Sequence, residues 1–226
     1  MSVFTSAGEM PALLWRPDGG RGPGVLLLQE IFGLSAYIRR RAADLAAAGY
    51  TVLAPDLYWR KDDPPLDESA PDVVDVAMAR MLSLDWDTTV ADAVAALAHL
   101  RGLDGAEGQA QVVGFCFGGG LGFNVAAEAE PDALVSYYGS ALPHLVDLAP
   151  RVTAPSLHHF GLADDYIDAD TVARIREAVT ATSANVRFET YPGANHAFDN
   201  HDFYYYDADS SALAWARTLE FLAEHR

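Results

Sequence analysis

The stretch that decides the fold is Gly114-Phe115-Cys116-Phe117-Gly118-Gly119-Gly120. It ends the apolar run 111–116 and opens a run of small residues, which predicts a strand that turns sharply into a helix at Cys116. This is the pattern of a nucleophile elbow, with cysteine in the place of serine. The flanking glycines are needed because larger side chains would clash in such a strained turn. The pattern therefore predicts a nucleophilic Cys116; the alternative is an inert thiol buried at a strand end.

Short apolar runs alternate with helical patterns on both sides of this elbow. The runs 10–16, 25–30, 51–56, 111–116, 133–138, 155–161 and 186–191 predict strands, with a weak first strand at 2–5. Helical spacing of apolar residues predicts helices at 37–48, 88–100, 119–128, 169–182 and 208–224. Near-continuous apolar strands separated by helices indicate an α/β fold, with a mostly parallel sheet of about eight strands covered on both faces. Because the loop-like run 61–71 is too short to be a linker, we expect one domain over residues 1–226.

The composition is that of a globular chain, with 50% hydrophobic and 21% charged residues among 226. A formal net charge of −17 disfavours binding to nucleic acid or to anionic membrane surfaces. The longest aliphatic stretch, 93–98, is far short of the ~20 residues that span a bilayer. The single cysteine forms no internal disulfide and residues 1–24 lack a secretory pattern, so we expect a soluble cytoplasmic protein.

The partners of the cysteine should follow it in the order nucleophile, acid, histidine. Of the seven histidines, only His196 lies in a glycine-containing turn directly after the last predicted strand, which predicts that His196 is the base. The acid should follow strand 155–161, where Asp164 and Asp165 are both candidates. The partial positive charge at the start of the helix after Cys116 favours a thiolate and an oxyanion. The backbone N–H of Phe117 is the first expected oxyanion donor.

Five segments of the sequence resemble the dienelactone hydrolase family of the α/β-hydrolase superfamily. They are 29–33 (QEIFG), 54–58 (APDLY), 114–119 (GFCFGG), 137–139 (YYG) and 193–198 (GANHAF). The resemblance implies an α/β-hydrolase fold and the hydrolysis of an ester or lactone without a cofactor. It places the nucleophile at Cys116, the base at His196 and the acid at Asp164.

The resemblance adds two residues at the end of the strand 25–30. Glu30 matches a glutamate that helps to take the thiol proton, and Ile31 matches a second backbone oxyanion donor beside Phe117. Independently, a carboxylate at the end of a buried strand is costly unless it is paired or functional. The alternative for Glu30 is a surface carboxylate paired with Arg39 or Arg40.

One departure from the family concerns substrate binding. Where relatives hold the substrate carboxylate with two arginines, this chain has Val74 and Asn200, so an anionic dienelactone is an unfavoured substrate. Arg80 is a candidate substitute for one of them. The aromatic run 203–206 and Trp86 are candidates for lining an apolar pocket, or for packing under a loop.

These observations predict a cysteine-dependent hydrolase of small-molecule esters or lactones that needs no cofactor. No metal is expected, because the spacing of His196, Asp199 and His201 matches no metal signature. The alternative is a non-catalytic scaffold that binds a ligand or senses thiol oxidation. Monomer and homodimer are both left open.

Overall fold

The computed structural model describes residues 1–61, 63–64 and 66–226. Asp62 and Pro65, which fall within the predicted loop at 61–71, lie outside the described residues. Over the described ranges, eight strands form one sheet in the order β1-β2-β4-β3-β5-β6-β7-β8. Their bounds are β1 Ser2–Thr5, β2 Gly8–Trp15, β3 Gly24–Leu28, β4 Thr51–Pro55, β5 Gln111–Phe115, β6 Leu134–Tyr137, β7 Ser156–Gly161 and β8 Val186–Tyr191.

The sheet is parallel from β4 through β8 in its spatial order, and β1 and β2 join it as antiparallel strands. Every residue of β3, β4, β5, β6 and β7 is buried, as expected for strands with layers packed on both faces. The predicted mostly parallel α/β sheet is therefore confirmed.

Six α-helices accompany the sheet within the described ranges. They are α1 Ala36–Ala47, α2 Val73–Leu82, α3 Trp86–Arg101, α4 Phe117–Ala129, α5 Ala169–Thr182 and α6 Ala208–Glu224. Four begin at a side chain that accepts a hydrogen bond from the amide three residues on, namely Ser35, Asp85, Asp168 and Asp207. Helix α4 lies on β3, β5 and β6 and packs against α3, whereas α1 contacts β4 and α6 contacts β7.

Two features of the secondary structure differ from the sequence prediction. Helix α2 and the 3₁₀ turns at Leu142–His144 and Val146–Arg151 were not predicted. The predicted strands 25–30 and 111–116 are also too long, because β3 ends at Leu28 and β5 at Phe115. Gln29 and Glu30 therefore lie in the turn after β3, and Cys116 is the single residue between β5 and α4.

The carboxyl ends of the parallel strands share one edge of the sheet, where sites of open α/β folds are found. Glu30 follows β3, Cys116 follows β5, Asp164 follows β7 and His196 follows β8. The topology thus gathers four residues from distant parts of the sequence. None of the described helices combines the length and the apolar character that crossing a membrane requires.

Candidate active site

The turn at Cys116 has the strained backbone of a nucleophile elbow. Cys116 has φ +53° and ψ −112°, an arrangement rare for a residue with a side chain. A Cβ on Gly114 would lie 2.1 Å from the carbonyl oxygen of Gly118, and a Cβ on Gly118 would lie 2.3 Å from that of Leu28. Both distances are impossible, so the two glycines are required for α4 to start directly at the end of β5.

Three side chains form a continuous hydrogen-bonded line at this edge of the sheet. The Nε2 atom of His196 lies 3.1 Å from Cys116 Sγ, and its Nδ1 atom lies 2.8 Å from Asp164 Oδ2. All three residues are buried, with exposed fractions of 8% for Cys116, 6% for His196 and 7% for Asp164. This is the arrangement of nucleophile, base and orienting acid found in catalytic triads.

The two neighbouring aspartates have different environments. Asp164 Oδ1 accepts the backbone N–H groups of Tyr166 and Ile167, which fixes its other oxygen on His196. Asp165 is exposed and accepts hydrogen bonds from the side chains of Asn195 and Tyr205. The geometry therefore assigns the contact with the imidazole to Asp164.

The imidazole of His196 is strongly biased toward its charged form. Burial opposes that charge, but the interaction with a thiolate at Cys116 and the hydrogen bonds to Asp164 and Cys116 outweigh it and raise the pKa of His196 to about 10. A protonated imidazole 3.1 Å from Sγ is the partner that a thiolate needs.

Glu30 lies in the same site and is 1% exposed. Its Oε2 accepts a hydrogen bond of 2.8 Å from Asn200 Nδ2, and its Oε1 accepts one of 3.3 Å from the Tyr138 hydroxyl. Burial raises the pKa of Glu30 to about 7, with a further contribution from the charge of Asp199. Near neutral pH this carboxyl can therefore both bind and release a proton.

The alternative for Glu30, a surface pairing with Arg39 or Arg40, is wrong. Arg39 donates to the carbonyl oxygen of Leu34, and Arg40 is paired with Asp202. Glu30 is buried among uncharged donors instead, because the turn after β3 directs its side chain inward.

A buried ion pair lies behind Glu30. Arg41 on α1 donates two hydrogen bonds to Asp199, of 2.8 and 2.6 Å, and Tyr37 donates a third of 2.5 Å. Asp199 directly precedes Asn200, the residue that holds Glu30. This pair is costly to break, so it fixes the backbone from which Asn200 reaches the carboxyl.

Two backbone amides next to Cys116 are available to a ligand. In the described part of the chain, the N–H groups of Ile31 and Phe117 donate to no other backbone group, and both residues line the cavity above the thiol. The Tyr58 hydroxyl donates to the Ile31 carbonyl at 2.7 Å, which holds the loop after β3 in place. Two backbone N–H donors that point into a cavity next to a thiol have the arrangement that an oxyanion hole requires.

The cavity that reaches Cys116 has a volume of about 440 Å³ and is mostly apolar. Helix α2 contributes Val74, Met78, Met81 and Leu82 to its wall. Trp86, Phe203 and Tyr166 add aromatic side chains, and Ser140 and His144 are polar residues of the lining. A cavity of this size suits a small organic molecule.

Two expectations about this lining need correction. Arg80 does not line the cavity, since it is held by Asp63 and the carbonyl oxygen of Pro64 and faces a separate pocket. Of the aromatic run 203–206, only Phe203 lines the cavity; Tyr204 and Tyr206 are exposed, and the Tyr205 hydroxyl donates to Asp165. Trp86 lines the cavity as expected.

Among the residues that the structure describes, no cluster of three or more His, Cys, Asp or Glu side chains could hold a metal ion.

Comparison with known proteins assigns the chain to a family. The sequence profile of the dienelactone hydrolase family matches residues 10–226. The chain belongs to the dienelactone hydrolase family. Carboxymethylenebutenolidase 1 of Cupriavidus pinatubonensis is 35% identical over 219 residues, which are 96% of this chain and 93% of the relative. The carboxymethylenebutenolidase of Pseudomonas sp. strain P51 is 34% identical over 95% of this chain and 90% of its own length.

The solved structures agree with this assignment. A Klebsiella pneumoniae protein assigned as a dienelactone hydrolase superposes with a TM-score of 0.85 at 30% identity, covering 99% of this chain and 96% of its own. The predicted α/β-hydrolase fold is thereby confirmed. Membership of the family, with carboxymethylenebutenolidases as relatives along nearly the whole chain, makes this protein a hydrolase of small-molecule carboxylic esters or lactones.

Proposed function

We propose that this dienelactone hydrolase family member cleaves its ester or lactone through a covalent intermediate on Cys116. His196 is the base, Asp164 orients it, and the N–H groups of Ile31 and Phe117 bind the oxyanion. The observation that carries the proposal is a pair of hydrogen-bond contacts. His196 Nε2 lies 3.1 Å from Cys116 Sγ, and His196 Nδ1 lies 2.8 Å from Asp164 Oδ2. Cys116 and His196 both line the apolar cavity. The protein requires no cofactor for these steps.

The reaction proceeds in two halves. The thiol proton passes to Glu30, and the Cys116 thiolate attacks the carbonyl carbon, forming a C–S bond and an oxyanion. The oxyanion collapses, the C–O bond of the ester breaks, and the leaving oxygen takes a proton from His196. His196 then removes a proton from water, which attacks the acyl group and breaks the C–S bond, and the released thiolate takes back the proton held by Glu30. Because a thiolate is itself a good leaving group, activated esters and enol-lactones are the favoured substrates.

The covalent intermediate provides the test of this proposal. When the protein is mixed with 4-nitrophenyl acetate and quenched in acid within seconds, we expect the intact mass to rise by one acetyl group. The chain has one cysteine, so thiol-directed peptide mapping should place the group on the peptide that contains Cys116. Continued turnover with an acetyl group on another residue would contradict the proposed nucleophile.

The raised pKa of Glu30 predicts the pH dependence of the reaction. Glu30 can accept the thiol proton only when ionised, so kcat/KM should rise about tenfold per pH unit up to about pH 7 and then level off. Glu30→Gln should remove this inflection and lower kcat/KM at pH 8 on the order of 10²-fold. The measurement is a pH profile of both proteins with 4-nitrophenyl acetate. An inflection near pH 7 that persists in Glu30→Gln would assign it to another group.

A further inference from the structure

The cavity above Cys116 offers no positive side chain to a ligand other than histidine. In the described part of the chain, neither arginine nor lysine lines it. The nearby arginines are engaged elsewhere: Arg41 with Asp199, Arg80 with Asp63 and Arg39 with the carbonyl oxygen of Leu34. The histidines that line it are His196, which is held between Cys116 and Asp164, and His144, which is exposed at the rim.

The acidic groups make the cavity unfavourable for a second anion. Glu30 lines it and is held by Asn200 and Tyr138, both uncharged donors. Asp199 lies directly behind and is buried completely. A substrate carboxylate would lose its hydration among methionine, leucine and aromatic side chains without gaining a charged partner, which is among the most costly transfers in proteins.

The same walls favour an apolar substrate. Trp86 is fixed by a 3.0 Å hydrogen bond from its indole N–H to Asn124, and its ring meets that of Phe117 edge-on with centroids 6.0 Å apart. The ring of Phe203 packs against that of Phe32, with their centroids 5.8 Å apart. These rings are pre-oriented, so they can contact a flat apolar group without a large loss of side-chain entropy.

We propose that this site selects uncharged esters and lactones over substrates that carry a carboxylate. The selection comes from the cavity lining, in which Val74, Met78 and Trp86 offer no charge and Glu30 adds a carboxyl group. The inference rests on the proposed ester-cleaving function of this site. It agrees with the expectation, drawn from Val74 and Asn200, that an anionic dienelactone is unfavoured, and extends that expectation to carboxylate-bearing esters in general.

A matched pair of substrates tests the selection. The 4-nitrophenyl monoester of trans-cyclohexane-1,4-dicarboxylic acid and the corresponding methyl diester share one leaving group and differ by a methyl group and a charge, and the trans ring keeps the free carboxylate away from the activated ester. At pH 8 we expect kcat/KM to favour the methyl diester on the order of 10²-fold. A ratio of about fivefold or less, which the additional methyl group alone explains, would overturn the inference.

A binding measurement separates this inference from the proposed function. Calorimetric titration of Cys116→Ala with the two esters reports affinity without turnover. Tighter binding of the methyl diester, by tenfold or more, supports the inference even if the wild-type protein hydrolyses neither ester, a result that would refute only the proposed function. Equal or tighter binding of the anionic ester would overturn the inference.

Two valines of α2 provide a matched pair of variants. Val74 lines the cavity, whereas Val76 is 42% exposed and does not. An arginine at the lining position can hold a carboxylate, so Val74→Arg should reduce the preference for the uncharged ester by about tenfold or more. Val76→Arg adds the same charge outside the cavity and should leave the preference unchanged. Equal effects in both variants would mean that the net charge of −17 sets the selectivity, which would overturn the role of the lining.

Discussion

Replacement of Cys116 by alanine is expected to lower kcat for 4-nitrophenyl acetate on the order of 10⁵- to 10⁶-fold, the loss seen when a triad nucleophile is removed. The alanine leaves His196, Asp164 and the two N–H donors in place, so the residual rate measures what they achieve with water alone. Steady-state rates with purified protein provide the measurement.

The control for this variant is its stability. Cys116 is a small buried side chain, so the alanine protein should melt within a few degrees of the wild type by circular dichroism. A folded Cys116→Ala protein that keeps more than one tenth of the wild-type rate would show that the thiol is not the nucleophile.

The second large effect is expected at Asp164. Asp164→Asn should lower kcat about 10³- to 10⁴-fold, because the amide oxygen can still accept the N–H groups of Tyr166 and Ile167 and the amide NH₂ then faces His196 Nδ1. That contact favours the tautomer in which Nε2 carries the proton and cannot accept one. KM should change little, since Asp164 does not line the cavity.

The neighbouring aspartate supplies the matched control. Asp165→Asn makes the same chemical change one residue away, on an exposed side chain that touches Asn195 and Tyr205. We expect its kcat to stay within about threefold of the wild type, as for most surface substitutions. A loss in Asp165→Asn as large as in Asp164→Asn would refute the assignment of the acid.

The parts of the site that local sequence patterns describe were predictable. The elbow at Cys116 can be recognised from a few consecutive residues, because its strained backbone requires glycine at fixed positions. His196 and the aspartate pair follow strands, and topology brings strand ends together. The choice of Asp164 needed the family resemblance, since both aspartates occupy the same turn and only the direction of each side chain separates them.

The parts that depend on contacts between distant residues were not predictable. Asn200 and Tyr138 donate hydrogen bonds to Glu30, from which they are separated by 170 and 108 positions in the sequence. No local sequence pattern predicts contacts between residues so far apart. From the sequence, Arg41 looks like a solvent-exposed charged residue of α1, but in the structure it forms an ion pair with Asp199 in the interior. Helix α2 did carry a signal, because Val73, Val74, Ala77, Met78 and Met81 recur at helical spacing. Four of its ten residues line the cavity, so the shape of the site could not be predicted without this helix.

The burial of Glu30 also affects the stability of the whole protein. Its pKa is about 7 in the folded chain and near its ordinary value of 4.5 when unfolded, so folding takes up a proton between those two pH values. The contribution of this group to the free energy of unfolding is complete below pH 4.5 and is lost as the pH rises through about 7. The loss is about 3 kcal/mol, a large share of the stability of a typical domain. The ionised carboxylate that the reaction uses is thus the form that opposes folding.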